Sequence, residues 1–202
     1  SINNNVSWNR INTNGSSDNH GIMLNSSADW NIFSYNNVST VGDMSYGISI
    51  TAANNTLFNN TILTAPVQWI VTGENTFNNF TNTTFYNADG SIRLFDTFQL
   101  NNTQNITIAK VNITLNRTFV NSTNLTYLNI SAQITLTGIT FQDPRPIVAF
   151  NNTNFEVCNA TICTEISFAS NVFVFNVTQF TIYSSNETPQ ACGTINASTT
   201  LV

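Results

Sequence analysis

The chain is 202 residues long, only 7% of them are charged, and its formal net charge is −5; ordinary soluble domains carry about 25% charged residues. Five Lys and Arg in all exclude a surface built to meet phosphates, so no nucleic-acid partner is expected. No apolar run approaches the ~18 residues of a spanning helix and no basic amphipathic helix suits a bilayer surface, so no membrane insertion is expected in this segment.

The missing charge is replaced by 36 Asn and 48 Ser plus Thr. Asn-x-Ser/Thr occurs at twenty positions, roughly twice the number that random placement of the same residues would give. Strand alternation inflates such a count unaided, because residues two apart share a face. The functional expectation is dense N-glycosylation of an extracellular surface, with glycans replacing charge as solubilisers. The chain starts at Ser1 without a signal peptide, as expected of a mature or excised portion of a secreted protein.

Residues 1–100 repeat. Ile22, Ile48, Ile70 and Ile92 are spaced by 26, 22 and 22 residues and sit in "GIML", "GISI", "WIVT" and "SIRL". A second register, an aromatic followed by Asn, reads "WNRI" at 8–11, "YNNV" at 35–38, "FNNT" at 58–61 and "FNNF" at 77–80. Such periods signal a solenoid, and β-branched and aromatic runs cut by Asn, Gly and Ser are strands bounded by turns. The expected fold is a parallel β-helix of about four coils, stacked about 4.8 Å apart. The four isoleucines would form an inward column and the asparagines a hydrogen-bonded ladder. Gly21 and Gly47 suit corners that a Cβ would crowd. Glycan candidates in this half are Asn37, Asn59, Asn79 and Asn82.

The "N-N-x-[IVT]" and "GIxL" phrases resemble the right-handed parallel β-helix repeats of the pectate-lyase-like superfamily, and more closely its Asn-rich members in archaeal surface proteins. The resemblance implies the fold and no activity, since the scaffold hosts lyases, hydrolases, adhesins and tail spikes.

Over 101–188 the period gives way to alternation. Strand candidates are "NITIAKVNITL", with a phase change, then "LTYLNI", "QITLTGITF", "IVAF", "EISF", "VFVFNV" and "QFTIY". They suggest an antiparallel β-sandwich, with Pro144 and Pro146 breaking one strand before the next. Glycan candidates here are Asn101, Asn105, Asn112, Asn116, Asn121, Asn124, Asn129, Asn151, Asn159, Asn176 and Asn186. Cys158 and Cys163 bracket "NATI", within reach of a disulfide. Half a zinc site is the alternative, but no second Cys pair exists and the only histidine is His20. The stretch also resembles the sandwich that follows β-helices in archaeal secreted proteins, whose short Cys-Cys loop favours the disulfide.

After Pro189 the tail "ACGTINASTTLV" reads as the opening of another β-helix, against a plain disordered terminus. A tail that docks on the first coil of the next copy would give head-to-tail assembly, and a contact of that kind that does not close makes a filament. Cys192, the odd cysteine, is then expected to find an external or intermolecular partner.

Catalytic grammar is thin. Asp18 and Asp43 precede equivalent strands, which fits turn formation better than a calcium site, and His20 fits an exposed loop. No catalytic or metal residue is assigned, and no cofactor is expected beyond covalent N-linked glycans. A carbohydrate-binding adhesin is the alternative role: exposure of Trp8, Trp30 and Trp69 beside a groove would favour it. Trp8 is, however, expected in an aromatic column with Tyr35, Phe58 and Phe77. A polysaccharide-processing enzyme comes last. The expected function is a structural glycoprotein of the cell surface or an extracellular filament, whose partners are copies of itself and possibly glycans.

Overall fold

The computed structural model describes residues 2–17, 19–43, 45–65, 68–74, 76–150 and 154–189. The chain is all-β, a β-solenoid of about three turns followed by antiparallel sheets. The first coil is β1 (Asn5–Ser7), β2 (Arg10–Ser17) and β3 (Ile22–Leu24). The second is β4 (Ile32–Ser34), β5 (Asn37–Asp43) and β6 (Tyr46–Ile50), and the third is β7 (Thr56–Phe58), β8 (Thr61–Ala65) and β9 (Gln68–Thr72). Corresponding strands stack in parallel, giving three faces: β1–β4–β7, β2–β5–β8 and β3–β6–β9.

Alternation along each short strand turns every second side chain inward. On the third face Ile48 is the register partner of both Ile22 and Ile70, and all three are buried. Gly21 and Gly47 lie beside this column. A Cβ on Gly21 would meet a Val38 methyl and sit 2.7 Å from the Gly47 carbonyl; one on Gly47 would meet an Ile62 methyl and sit 2.8 Å from the Trp69 carbonyl. The third-coil equivalent is Trp69, which packs on Phe85 at 5.3 Å between ring centroids.

The solenoid closes where a fourth coil was expected. β10 (Phe77–Asn87) lies parallel on β7 and β8, covering two faces. The chain then reverses, and β11 (Gly90–Asn101) returns antiparallel along β10. Ile92 therefore leaves the expected column: it pairs with Phe85 and Ile134. Its place opposite Ile70 is taken by Ile106 of β12 (Ile106–Thr107), which is antiparallel to β9. The 22-residue spacing continues through the reversal, but the strand direction does not.

The remaining strands are β13 (Val111–Thr114), β14 (Arg117–Val120), β15 (Ala132–Leu136), β16 (Pro144–Ala149), β17 (Glu156–Val157), β18 (Cys163–Ala169), β19 (Val172–Val177) and β20 (Ile182–Glu187). One antiparallel set, β11–β15–β19–β18, extends the solenoid sheet; the other, β13–β14–β20–β16–β17, is separate. Buried residues of both sets belong to the same hydrophobic core as the coils. An inward row runs without interruption from Val38 through Ile62, Phe85, Ile92 and Ile134 to Phe175. The boundary expected after residue 100 falls at the end of β11, whereas parallel stacking already stops at the Asn87–Gly90 turn. Residues 126–128 of "LTYLNI" form a 3-10 turn rather than a strand. Pro144 and Pro146 lie within β16, ahead of its pairing with β17, which begins at Ile147.

Two asparagine ladders hold the coils at their corners. In the first, the backbone N–H and Nδ2 of Asn4 donate to Asn31 Oδ1 at 2.9 and 2.8 Å. Those of Asn31 donate to Asn55 Oδ1 at 2.9 and 3.1 Å, and those of Asn55 to Asn78 Oδ1 at 3.0 and 3.1 Å. The second runs Asn9 to Asn36 to Asn60 by the same pair of bonds, each 3.0–3.1 Å. The fourth-layer position of that ladder is Thr83, whose buried hydroxyl has no hydrogen-bond partner among the described residues.

Asn55→Ala removes the Oδ1 that accepts from both the N–H and Nδ2 of buried Asn31, and takes the Nδ2 donor from Asn78 Oδ1, which keeps the backbone N–H. Each unsatisfied group costs about 1–3 kcal/mol, so urea unfolding should show a loss of about 3 kcal/mol or more. The same change at exposed Asn54 breaks no ladder bond and should cost less, about 1 kcal/mol, the penalty of alanine in left-handed backbone.

Candidate functional site

Each ladder asparagine in the coils is preceded by a corner residue. The first column of corners is Asn3, Trp30, Asn54 and Phe77; the second is Trp8, Tyr35, Asn59 and Asn82, by the registers of β1, β4, β7 and β10. Seven of these have left-handed backbone: φ is 57°, 60° and 59° at Asn3, Trp30 and Asn54, and 60°, 55°, 52° and 47° at Trp8, Tyr35, Asn59 and Asn82. Asparagine adopts this region readily, while other L-residues pay about 1–2 kcal/mol. The same chain thus uses Asn at four of these corners and bulky aromatics at three.

Those aromatics are not buried for their trouble. Trp8 is 75% exposed, Trp30 60% and Tyr35 42%. Trp8 lies flat on Tyr35 with ring centroids 4.1 Å apart, and Phe58 meets Tyr35 edge-on at 5.4 Å. The single aromatic column expected from Trp8, Tyr35, Phe58 and Phe77 is therefore divided. Phe58 is in register with Ser34, and Phe77 belongs to the other corner. Trp69 is buried, and its Nε1 donates to the Val111 carbonyl at 2.8 Å, tying the third face to β13. Next to Tyr35 a shallow groove is lined by Asn59, Thr61, Asn82, Thr84 and Arg93. Asn82 Nδ2 donates to Asn59 Oδ1, and Arg93 Nε donates to Asn82 Oδ1 at 2.6 Å.

The asparagines fall into two groups. The buried ones, Asn31, Asn36, Asn55, Asn60 and Asn78, head no Asn-x-Ser/Thr. The glycan candidates among the described residues are all exposed or half-buried. Alternation is the cause: the residue two after a ladder Asn faces the core and is Phe33, Val38, Leu57, Ile62 or Phe80. Asn151 and Cys192 lie outside the described residues, as does Asp18.

Cys158 and Cys163 form a disulfide with a Cα–Cα distance of 5.8 Å. Cys158 follows β17 of the separate sheet, and Cys163 opens β18 of the other, so the bond joins the two sheets at their margin.

Titratable groups are scattered. Asp29 Oδ1 accepts the Ala53 N–H at 2.7 Å, a turn role. His20 stacks on Tyr46 at 4.6 Å, and its Nδ1 accepts the Tyr46 N–H at 3.4 Å. Among the described residues no three His, Cys, Asp or Glu come together, and no helix is long and apolar enough to cross a membrane. The Glu165 carboxyl is raised by desolvation and by the nearby Asp143 carboxylate. Burial pushes the Tyr127 phenol up to about 12, and it pushes Tyr183 up as well. The Tyr183 hydroxyl donates to the Gln179 carbonyl at 2.7 Å, whereas the Tyr127 hydroxyl is buried without a partner among the described residues.

An acid whose folded pKa is raised keeps its proton in the native state after the unfolded chain has lost it, so stability falls as pH rises. For Tyr127 the loss should begin near the ordinary phenol value of about 10 and level off above about 12. Tyr127→Phe removes both the orphan hydroxyl and this titration. Thermal melts should show equal or higher stability at pH 8 and a shallower alkaline decline than the parent chain.

Compared with known proteins, the chain matches no family model, no curated protein and no solved structure.

Proposed function

We propose that the chain is a structural glycoprotein of a cell surface or extracellular filament, a solenoid unit that is joined to further copies by strand addition. In this view its coils are those of the right-handed β-helices that its repeats resemble in Asn-rich archaeal surface proteins. The observation that carries it is the difference between the solenoid's two ends. β10, β11 and β12 close one end. At the other, β1, β2 and β3 are each paired on one side only. There Asn4 and Asn9, the first rungs of both ladders, accept no hydrogen bond at Oδ1 among the described residues. An added coil bearing Asn at the same two corners would continue both ladders. Such an edge is a template for another strand, and backbone bonding supplies affinity without charges. The donor is the segment after Pro189, which lies outside the described residues. Glycans on the outward asparagines would keep the sheet faces from associating sideways.

A saccharide-binding adhesin is the second reading, favoured by Trp8, which remains exposed on Tyr35 beside the groove. A saccharide array that the parent chain leaves blank would remove it.

Two measurements test the structural role. Sedimentation of the full chain should show concentration-dependent oligomers, while a chain ending at Pro189 with an unchanged circular-dichroism spectrum should stay monomeric. Identical behaviour of the two would refute strand addition. Glycopeptide mapping of material from an N-glycosylating host should find several outward asparagines occupied.

A further inference from the structure

The first corner column places an exposed glycan candidate between two exposed aromatic rings. Asn54 heads Asn54-Asn55-Thr56; in register, Trp30 precedes it by one coil and Phe77 follows it by one layer. The backbone fixes this order, with Trp30 N–H donating to the Ala53 carbonyl at 3.4 Å and Asn54 N–H to the Phe77 carbonyl at 2.6 Å. Successive rungs are about 4.8 Å apart. Trp30 is 60% and Phe77 48% exposed, and Trp30 stacks on no other described ring. The Asn54 carboxamide is exposed and makes no hydrogen bond among the described residues. The second corner differs: Tyr35 is already covered by Trp8, and the Asn59 carboxamide is engaged by Asn82.

Two rings held at this corner, one of them in a backbone conformation that Asn fills more easily, need an occupant with a flat apolar face and a hydroxylated rim. A pyranose has both. Its C–H face loses water against an aromatic ring, while its hydroxyls stay in solvent. We propose that Trp30 and Phe77 form a seat for the first sugar of this chain's own N-linked glycan, attached at Asn54. This rests on the glycoprotein reading above. In the attachment step, carried out by a host oligosaccharyltransferase, the Asn54 Nδ2 gives up one hydrogen and gains a bond to the anomeric carbon of a lipid-diphosphate-linked oligosaccharide. The lipid diphosphate departs as the leaving group, and the proton goes to solvent. The ladder is untouched, because its rung is the next residue, Asn55, which is buried and heads no Asn-x-Ser/Thr.

The test uses the full chain from secretory cells, with each glycan trimmed enzymatically to one N-acetylglucosamine, in four forms: parent, Trp30→Ala, Asn54→Gln and the double variant. The parent should carry sugar at Asn54, with its ring protons displaced upfield by the aromatic ring current and restored in Trp30→Ala. Trp30→Ala should lower the melting midpoint about 2–4 °C further when Asn54 bears its sugar than in the Asn54→Gln background. Occupied Asn54 with additive midpoints and no ring-current displacement overturns the seat and leaves the glycoprotein reading standing. So does an empty Asn54 beside occupied sites elsewhere. If no site is occupied in cells that glycosylate a control protein, the glycoprotein reading falls with it.

Discussion

A buried carboxamide that accepts two hydrogen bonds from the coil before it and donates to the coil after it is the interaction on which the solenoid depends. The strands between the two ladders, β1, β4 and β7, are three residues long, too short to hold successive coils by pairing alone. At each corner the backbone turns, and its N–H groups would face the interior without acceptors, a state proteins rarely tolerate. The Asn side chain meets that need twice, with its oxygen on the neighbouring backbone N–H and on the neighbouring Nδ2. Ahead of every rung but Asn78, a left-handed residue aims the carboxamide inward and its own side chain outward. Cohesion and surface display are thus set by adjacent residues.

The change from parallel coils to antiparallel sheets needs no break in the core. β10 belongs to both, as the last layer of two solenoid faces and the first strand of the antiparallel series. Because the inward row from Val38 to Phe175 crosses it in register, packing is passed from one architecture to the other through Phe85 and Ile92. Trp69 and the Cys158–Cys163 bond fasten the separate sheet at two distant places, the first from the solenoid and the second at the sheet margin.

The parallel coils were legible in the sequence because stacking repeats the chemistry of each position. Ile22, Ile48 and Ile70 and the inward Asn after each corner follow from spacing alone. Ile92 leaves the column that its spacing predicts because spacing does not encode strand direction, and the reversal at Asn87–Gly90 leaves the period intact. The aromatic–Asn phrases reach the ladder through Asn9 and Asn36 and pass over Asn4, Asn31 and Asn55 of the other, although its signal is present as Asn pairs five residues apart: Asn4 and Asn9, Asn31 and Asn36, Asn55 and Asn60. The recurring aromatics point to one column, which merges Phe77 of one corner with Trp8 and Tyr35 of the other. Which tryptophans are exposed could not be read from sequence at all: Trp30 and Trp69 differ only in whether a corner or a face carries them.

The ladders are built from neutral amides, and this sets the medium in which the coils hold together. Added salt screens attraction between exposed charges more than about 10 Å apart at 0.1 M, but a chain with 7% charged residues has little such attraction to lose. Carboxamides do not titrate, so acidification leaves their bonds in place. The coils should cohere in brine as in fresh water, a tolerance that an ion-pair-laced surface of the same size would not share.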